Sequence, residues 1–116
     1  MNRLPQTINV NQLKIWLNSP DKEFCIVDVR EDEEINLCSL KYEFINLPLS
    51  NFQIWKKNIP SIFANHKCIV VLCHKGIRSY NFGRWLLENY SEYDVWNLDG
   101  GIDHWAECID KTMPRY

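Results

Sequence analysis

No run of apolar residues in this chain approaches the ~20 that a helix needs to cross a bilayer. The opening MNRLPQTINV carries one early Arg but no apolar core of the kind an export signal uses. Together these absences predict no membrane partner and a cytoplasmic protein. Basic charge is not in surplus either: 13 Lys and Arg stand against 15 Asp and Glu, a formal net charge of −2. No nucleic-acid partner is expected, because phosphate-backbone binding rests on a broad positive field. Histidine is scarce at three residues, and His66 and His104 have no partners at ligand-like spacing, so surface or capping roles are expected for them and no metal site. Cysteine is not scarce, but its number, five, is odd. Without an export signal, free thiols are expected rather than a disulfide framework.

What is present is an ordinary globular composition. With 116 residues, 46% hydrophobic and 24% charged, residues 1–116 are long enough for one core and too short for two. Short β-branched runs alternate with amphipathic stretches, the signature of a parallel sheet covered by helices, so the expected class is α/β. Ile8–Val10 reads as a first strand. Leu13, Trp16 and Leu17 then recur at helical spacing and stop before Ser19-Pro20. Phe24–Val29 is a buried strand ending in Asp28 and Arg30. The acidic run Glu31–Glu34 reads as a solvated first helical turn. Phe44–Leu47 is a short third strand, and residues 52–63 form covering structure interrupted near Pro60. Cys68–Leu72 is the clearest central strand, followed by the loop Cys73-His74-Lys75-Gly76-Ile77-Arg78-Ser79 and a helix from Ser79 to Tyr90. Val95–Leu98 is the last of five strands, Gly100-Gly101 a tight turn, and Ile102–Ile109 a helix with Trp105 on its buried face.

The chemistry concentrates at Cys73. A cysteine at the C-terminal end of a central parallel strand, followed directly by a helix, stands where α/β sheets place ligands. A loop curling back from His74 to Ser79 would aim backbone N–H groups and a helix N-terminus at the sulfur, favouring a thiolate or a bound anion. His74, Lys75 and Arg78 add cationic side chains to that loop. Cys25 and Cys68 lie inside apolar strands and read as small buried hydrophobes. Cys38 and Cys108 could be surface thiols or packing residues. Five positions separate Cys68 from Cys73, on opposite faces of an extended strand and about 16 Å apart, too far to share a metal.

With those residues in place, the chain resembles the single-domain rhodanese family from Ile8 onward. Asp28-Val29-Arg30 is similar to that family's Asp-Val-Arg signature. The segment from Cys73 to Arg78 resembles its six-residue active-site loop, and Leu98-Asp99-Gly100-Gly101-Ile102-Asp103-His104-Trp105 its Gly-Gly-x-x-x-Trp signature. One departure is plain: Cys38-Ser39-Leu40-Lys41 stands where members commonly carry a Gly-His-Ile-x-Gly-Ala stretch. Glu34–Cys38 and Ile109–Tyr116 look more like rhodanese domains fused to ubiquitin-activating-like sulfur-carrier enzymes, which implies a protein acceptor or donor for the sulfur.

The resemblance implies a five-stranded parallel sheet with helices on both faces, and a sulfurtransferase that holds sulfur as a persulfide on Cys73 with no separate cofactor. It implies a small anionic sulfur donor such as thiosulfate. The loop amides from Gly76 through Ile77 and Arg78 to Ser79 would hold the terminal sulfur, and Gly76 would permit the turn. Lys75 and Arg78 would orient the anion, with His74 adding charge when protonated. Asp28 and Arg30 would brace the loop. Two other readings are a cysteine phosphatase or arsenate reductase of related fold and a non-catalytic interaction module. The phosphatase loop has five residues between Cys and Arg, against four between Cys73 and Arg78.

Overall fold

The computed structural model describes residues 3–116. Its five strands are all parallel and lie in the order β1-β5-β4-β2-β3: β1 Gln6–Ile8, β2 Cys25–Asp28, β3 Ile45–Asn46, β4 Cys68–Leu72 and β5 Asp94–Leu98. The near-continuous apolar runs of β2 and β4 place them beside each other at the centre, Cys25 opposite Ile69 and Asp28 opposite Leu72. Alternation along these strands feeds two cores. Cys25, Val27, Ile69, Val71 and Cys73 pack on one face with Phe82 and Leu86, while Ile26, Val70 and Leu72 pack on the other with Leu13, Ile102 and Trp105. Helices therefore cover both faces, as expected. Helices α3 Phe52–Trp55, α4 Ile59–Phe63 and α5 Ile77–Asn89 cover the first; α1 Val10–Leu17 and α6 Gly101–Cys108 cover the second. A short acidic helix, α2 Asp32–Leu37, follows β2.

Several boundaries move for local reasons. The first strand is Gln6–Ile8 rather than Ile8–Val10, because Asn9 starts α1 with a capping box. Its side chain accepts from Gln12 N–H at 2.8 Å, and the Gln12 side chain accepts from Asn9 N–H at 3.0 Å. Val10 is thus the first helical residue, not a strand end. The break in the covering structure falls before Pro60, at a 3₁₀ turn over Lys56–Asn58, because proline suits the first turn of α4. Helix α5 begins at Ile77 rather than Ser79, so Ile77, Arg78 and Ser79 form its first turn. The third strand shrinks to Ile45–Asn46, and the last helix runs one residue earlier than Ile102–Ile109.

Parallel strands bring all their C-terminal ends to one edge, so Asp28, Asn46, Cys73 and Leu98 are neighbours there. That edge carries the candidate site.

Candidate active site

Cys73 follows β4 directly and is 1% exposed. Three donors converge on its Sγ: Gly76 N–H at 3.1 Å, Ser79 N–H at 3.4 Å and Ser79 Oγ at 3.3 Å. Among the described residues, the loop amides that reach the sulfur are those of Gly76 and Ser79, not those of Ile77 and Arg78 between them. The turn that aims them depends on Gly76, whose φ of +109° caps α5 in a conformation that L side chains rarely adopt. Asn97, on β5, fixes both ends of this arrangement. Its Nδ2 donates to Gly76 O at 3.0 Å, which leaves Oδ1 facing Ser79 Oγ at 2.5 Å. The Ser79 hydroxyl has one proton for two partners, so it can donate to Asn97 or turn to the sulfur.

From the other side, the start of α6 clamps the loop. Ile102 N–H donates to Cys73 O at 2.9 Å and Asp103 N–H to His74 O at 3.0 Å. This close approach requires Gly101, where a Cβ would stand 2.5 Å from both carbonyl oxygens. The Gly-Gly segment is thus part of the loop's seat, not only a turn.

The three cations expected to serve the loop divide into three different situations. Lys75 is exposed. The His74 ring stacks on Tyr116, centroids 3.9 Å apart and planes 9° from parallel, with its Nε2 buried and without a hydrogen-bond partner. Arg78 forms a two-point ion pair with Glu34, Nη1 to Oε1 at 2.7 Å and Nη2 to Oε2 at 2.9 Å. Glu34 therefore does not belong to a solvated acidic turn, as its run suggested. Arg78 first, together with Tyr116 and against the opposing effect of burial, holds its carboxyl down at about 2. Ile77 projects outward and is 74% exposed.

Asp28 and Arg30 form an ion pair that is 1% and 0% exposed. Arg30 Nε donates to both Asp28 oxygens at 3.1 Å, and Nη2 donates to Oδ2 at 2.9 Å and to Cys38 O at 2.9 Å. Burial works against the Arg30 charge, but the hydrogen bonds and charge of Asp28 outweigh it and keep the guanidinium protonated. Asn46 secures this corner by donating to Asp28 O at 2.9 Å and Arg30 O at 3.0 Å. Among the described residues, Arg30 makes no hydrogen bond to residues 74–79, so the expected bracing of the loop would have to run through other side chains. Its Nη1 donates to Tyr116 Oη at 3.0 Å, and Tyr116 Oη donates to Glu34 Oε2 at 2.7 Å.

Sequence reasoning missed Glu34, Asn97 and Tyr116. Asn97 left a signal, a lone amide in the apolar run 95–98, and Glu34 sits where a capping glutamate belongs. Tyr116 left none, since its partners lie far along the chain.

The remaining thiols are free. Burial first and Glu43 second push the Cys25 thiol up to about 11, and burial first and Asp94 second do the same for Cys68. Cys38 is buried, its sulfur 3.9 Å from Arg30 Nη1. His104 lies at the surface, as expected, with exposed Cys108 one turn away on α6: their Sγ and Nε2 lie 3.6 Å apart, and Glu107 Oε1 is 3.2 Å from His104 Nδ1. The other oxygen of Glu107 lies 3.6 Å from Arg115. A cavity of about 290 Å³ lined by Phe24, Cys25, Phe44 and His66 opens at the N-terminal edge of the sheet, away from Cys73. Among the described residues, no helix is long and apolar enough to cross a membrane.

Comparison with known proteins adds a second line of information. A family model described as Rhodanese-like domain matches residues 9–108. The chain is 35% identical over 111 residues to the Rhodanese-like/PpiC domain-containing protein 12, chloroplastic, of Arabidopsis thaliana, with 94% of this chain and 36% of that protein covered. It is 31% identical over 114 residues to the adenylyltransferase and sulfurtransferase UBA4 of Debaryomyces hansenii, covering 94% of this chain and 25% of that protein. The chain thus spans about a third or less of these curated relatives. Among solved structures, a rhodanese-like domain protein from Staphylococcus aureus superimposes with a TM-score of 0.72 and 26% identity, covering 96% of this chain and 98% of that one.

Proposed function

The chain belongs to the rhodanese-like domain family, and on that premise we propose that it is a sulfurtransferase whose carrier is a persulfide on Cys73. The observation that carries this reading is the convergence of Gly76 N–H, Ser79 N–H and Ser79 Oγ on one sulfur. The two backbone donors are fixed in place before reaction and stabilise negative charge without reorganising, while the Ser79 hydroxyl can turn to join them. A persulfide would place that charge one atom beyond Sγ, next to the same first turn of α5 whose Ser79 N–H reaches Sγ.

The step is a displacement at sulfur. The Cys73 thiolate attacks the outer sulfur of the donor, a new S–S bond forms and the donor's own bond to that sulfur breaks. With thiosulfate the leaving group is sulfite; with a persulfide R–S–SH it is the thiolate R–S⁻. An acceptor thiol or cyanide then takes the sulfur and restores the thiolate. Asn97 positions the cradle by holding Gly76 O and Ser79 Oγ. A phosphate ester or arsenate would need Arg78 turned onto the anion, whereas Glu34 already engages both of its terminal nitrogens. Similarity to a larger adenylyltransferase and sulfurtransferase supports the sulfurtransferase reading.

Intact-mass spectrometry tests this. Protein incubated with thiosulfate should gain one sulfur atom and lose it to cyanide, and Cys73→Ser should gain none. Equal sulfur uptake by Cys73→Ser would overturn the assignment.

A further inference from the structure

The Cys73 loop carries cations that its geometry does not leave available. Glu34 is hydrogen-bonded on every side: Arg78 donates twice, at 2.7 and 2.9 Å, Tyr116 Oη once at 2.7 Å, and Glu31 N–H once at 3.2 Å. It cannot swing away easily, because Tyr116 is held from behind by Arg30, and Arg30 by buried Asp28. The paired side chains of Arg78 and Glu34 are 38% and 19% exposed, so the pair is formed at the rim of the loop rather than in open solvent. Paired two-to-two with a carboxylate, a guanidinium has spent its best donors and its net charge.

We propose that Glu34 is a specificity-determining residue that sets the charge of the sulfur donor. By engaging Arg78 it withholds that cation from the incoming anion and tunes the site to donors with at most one negative charge at the transferable end, of the persulfide type, over the thiosulfate dianion. The inference rests on the persulfide reading of Cys73. The two reactions differ in what the loop must neutralise. For thiosulfate, E–S⁻ + S–SO₃²⁻ gives E–S–S⁻ + SO₃²⁻, so a dianion enters and a dianion leaves. For a persulfide, E–S⁻ + R–S–SH gives E–S–SH + R–S⁻, so a neutral or singly charged species enters and a monoanion leaves. With Arg78 cancelled by Glu34, Lys75 is, of the loop's Lys and Arg side chains, the one without an ion pair among the described residues. One such charge suits the second reaction better than the first.

The test compares kcat/KM for thiosulfate with that for glutathione persulfide in three proteins: wild type, Glu34→Gln and Glu33→Gln. Glu33 is an exposed neighbour, so its substitution makes the same change in net charge outside the network. Glu34→Gln should raise the thiosulfate-to-persulfide ratio about tenfold, chiefly through a lower KM for thiosulfate, with a steeper loss at high salt. Glu33→Gln should leave the ratio as in wild type. Adding Arg78→Ala to Glu34→Gln should abolish the gain, which a merely structural role for Glu34 does not predict. Equal ratios in Glu34→Gln and Glu33→Gln would overturn the proposal. Should Glu34→Gln fail to fold, Tyr116→Phe removes one of the carboxylate's hydrogen bonds and should move the ratio the same way by about twofold; no movement overturns it equally. If Cys73 is not the carrier, neither donor labels it and the proposal falls with that reading. If Cys73 is the carrier and Glu34 is inert, both donors label it and the ratio stays put.

Discussion

The two edges of the sheet use the same residue type in opposite ways. Cys25 and Cys68 stand at the N-terminal edge, and Cys73 at the C-terminal edge. Cys25 is 7% exposed and Cys73 only 1%, so burial alone does not separate them. The polar groups around each sulfur do. Near Cys25 and Cys68 stand the carboxylates of Glu43 and Asp94, which add to burial in pushing those thiols up to about 11. Around Cys73 stand two backbone N–H groups and a hydroxyl. In a parallel sheet, helices that follow strands begin at the C-terminal edge, so their unpaired N–H groups collect there. On the proposed reading, the topology itself makes one edge receptive to a sulfur anion and leaves the other inert.

The hardest blow to this contrast falls on the frame of the receptive edge. Arg30→Ala leaves Asp28 as a buried, unpaired carboxylate and should cost about 3–5 kcal/mol in urea denaturation. A loss under about 1 kcal/mol would mean that the corner is not held by the pair. Asn97→Ala comes next. It releases Gly76 O and Ser79 Oγ, and should cost about 1–3 kcal/mol while slowing sulfur uptake by about tenfold, a barrier change near 1.4 kcal/mol. Its counterpart is Cys25→Ala at the other edge, which should cost about 1 kcal/mol of packing with sulfur uptake intact. Equal kinetic loss in both variants would erase the difference between the edges.

The smallest effect is an acid-side one. Glu34 is lowered in the folded protein from 4.5 to about 2. A depressed carboxyl contributes stability that is fully present above its unfolded value and is lost as pH falls through its folded value. The stability difference between wild type and Glu34→Gln should therefore be level above about pH 5 and shrink progressively toward pH 2. A difference that stays level across that range would show that the ion pair with Arg78 does not form in solution.

How much of this was legible follows from how local each signal is. The buried strands announced themselves through apolar runs, and Cys73 through its place between Cys68–Leu72 and a glycine-bearing loop. The capping box Asn9/Gln12 was also local, but the apolar Val10 masked it as strand. Arg78 was recognisable as a loop cation, yet its partner Glu34 lies 44 positions away, and the two meet only once the chain has folded. Tyr116 is 86 positions from Arg30. No spacing rule reaches such pairs, because only the folded sheet brings them together. The Gly100-Gly101 pair signals backbone freedom in the sequence, while the closeness of Gly101 to Cys73 O and His74 O is a property of how β4 and α6 meet.

Mapping the transferred sulfur to individual cysteines tests the contrast most directly. After limited treatment of the folded protein with a persulfide donor, peptide mass spectrometry under non-reducing conditions should locate the added sulfur on Cys73, with Cys25 and Cys68 unmodified. Sulfur distributed by exposure, with Cys108 leading and Cys73 spared, would contradict the assignment of the receptive edge as the site of sulfur transfer.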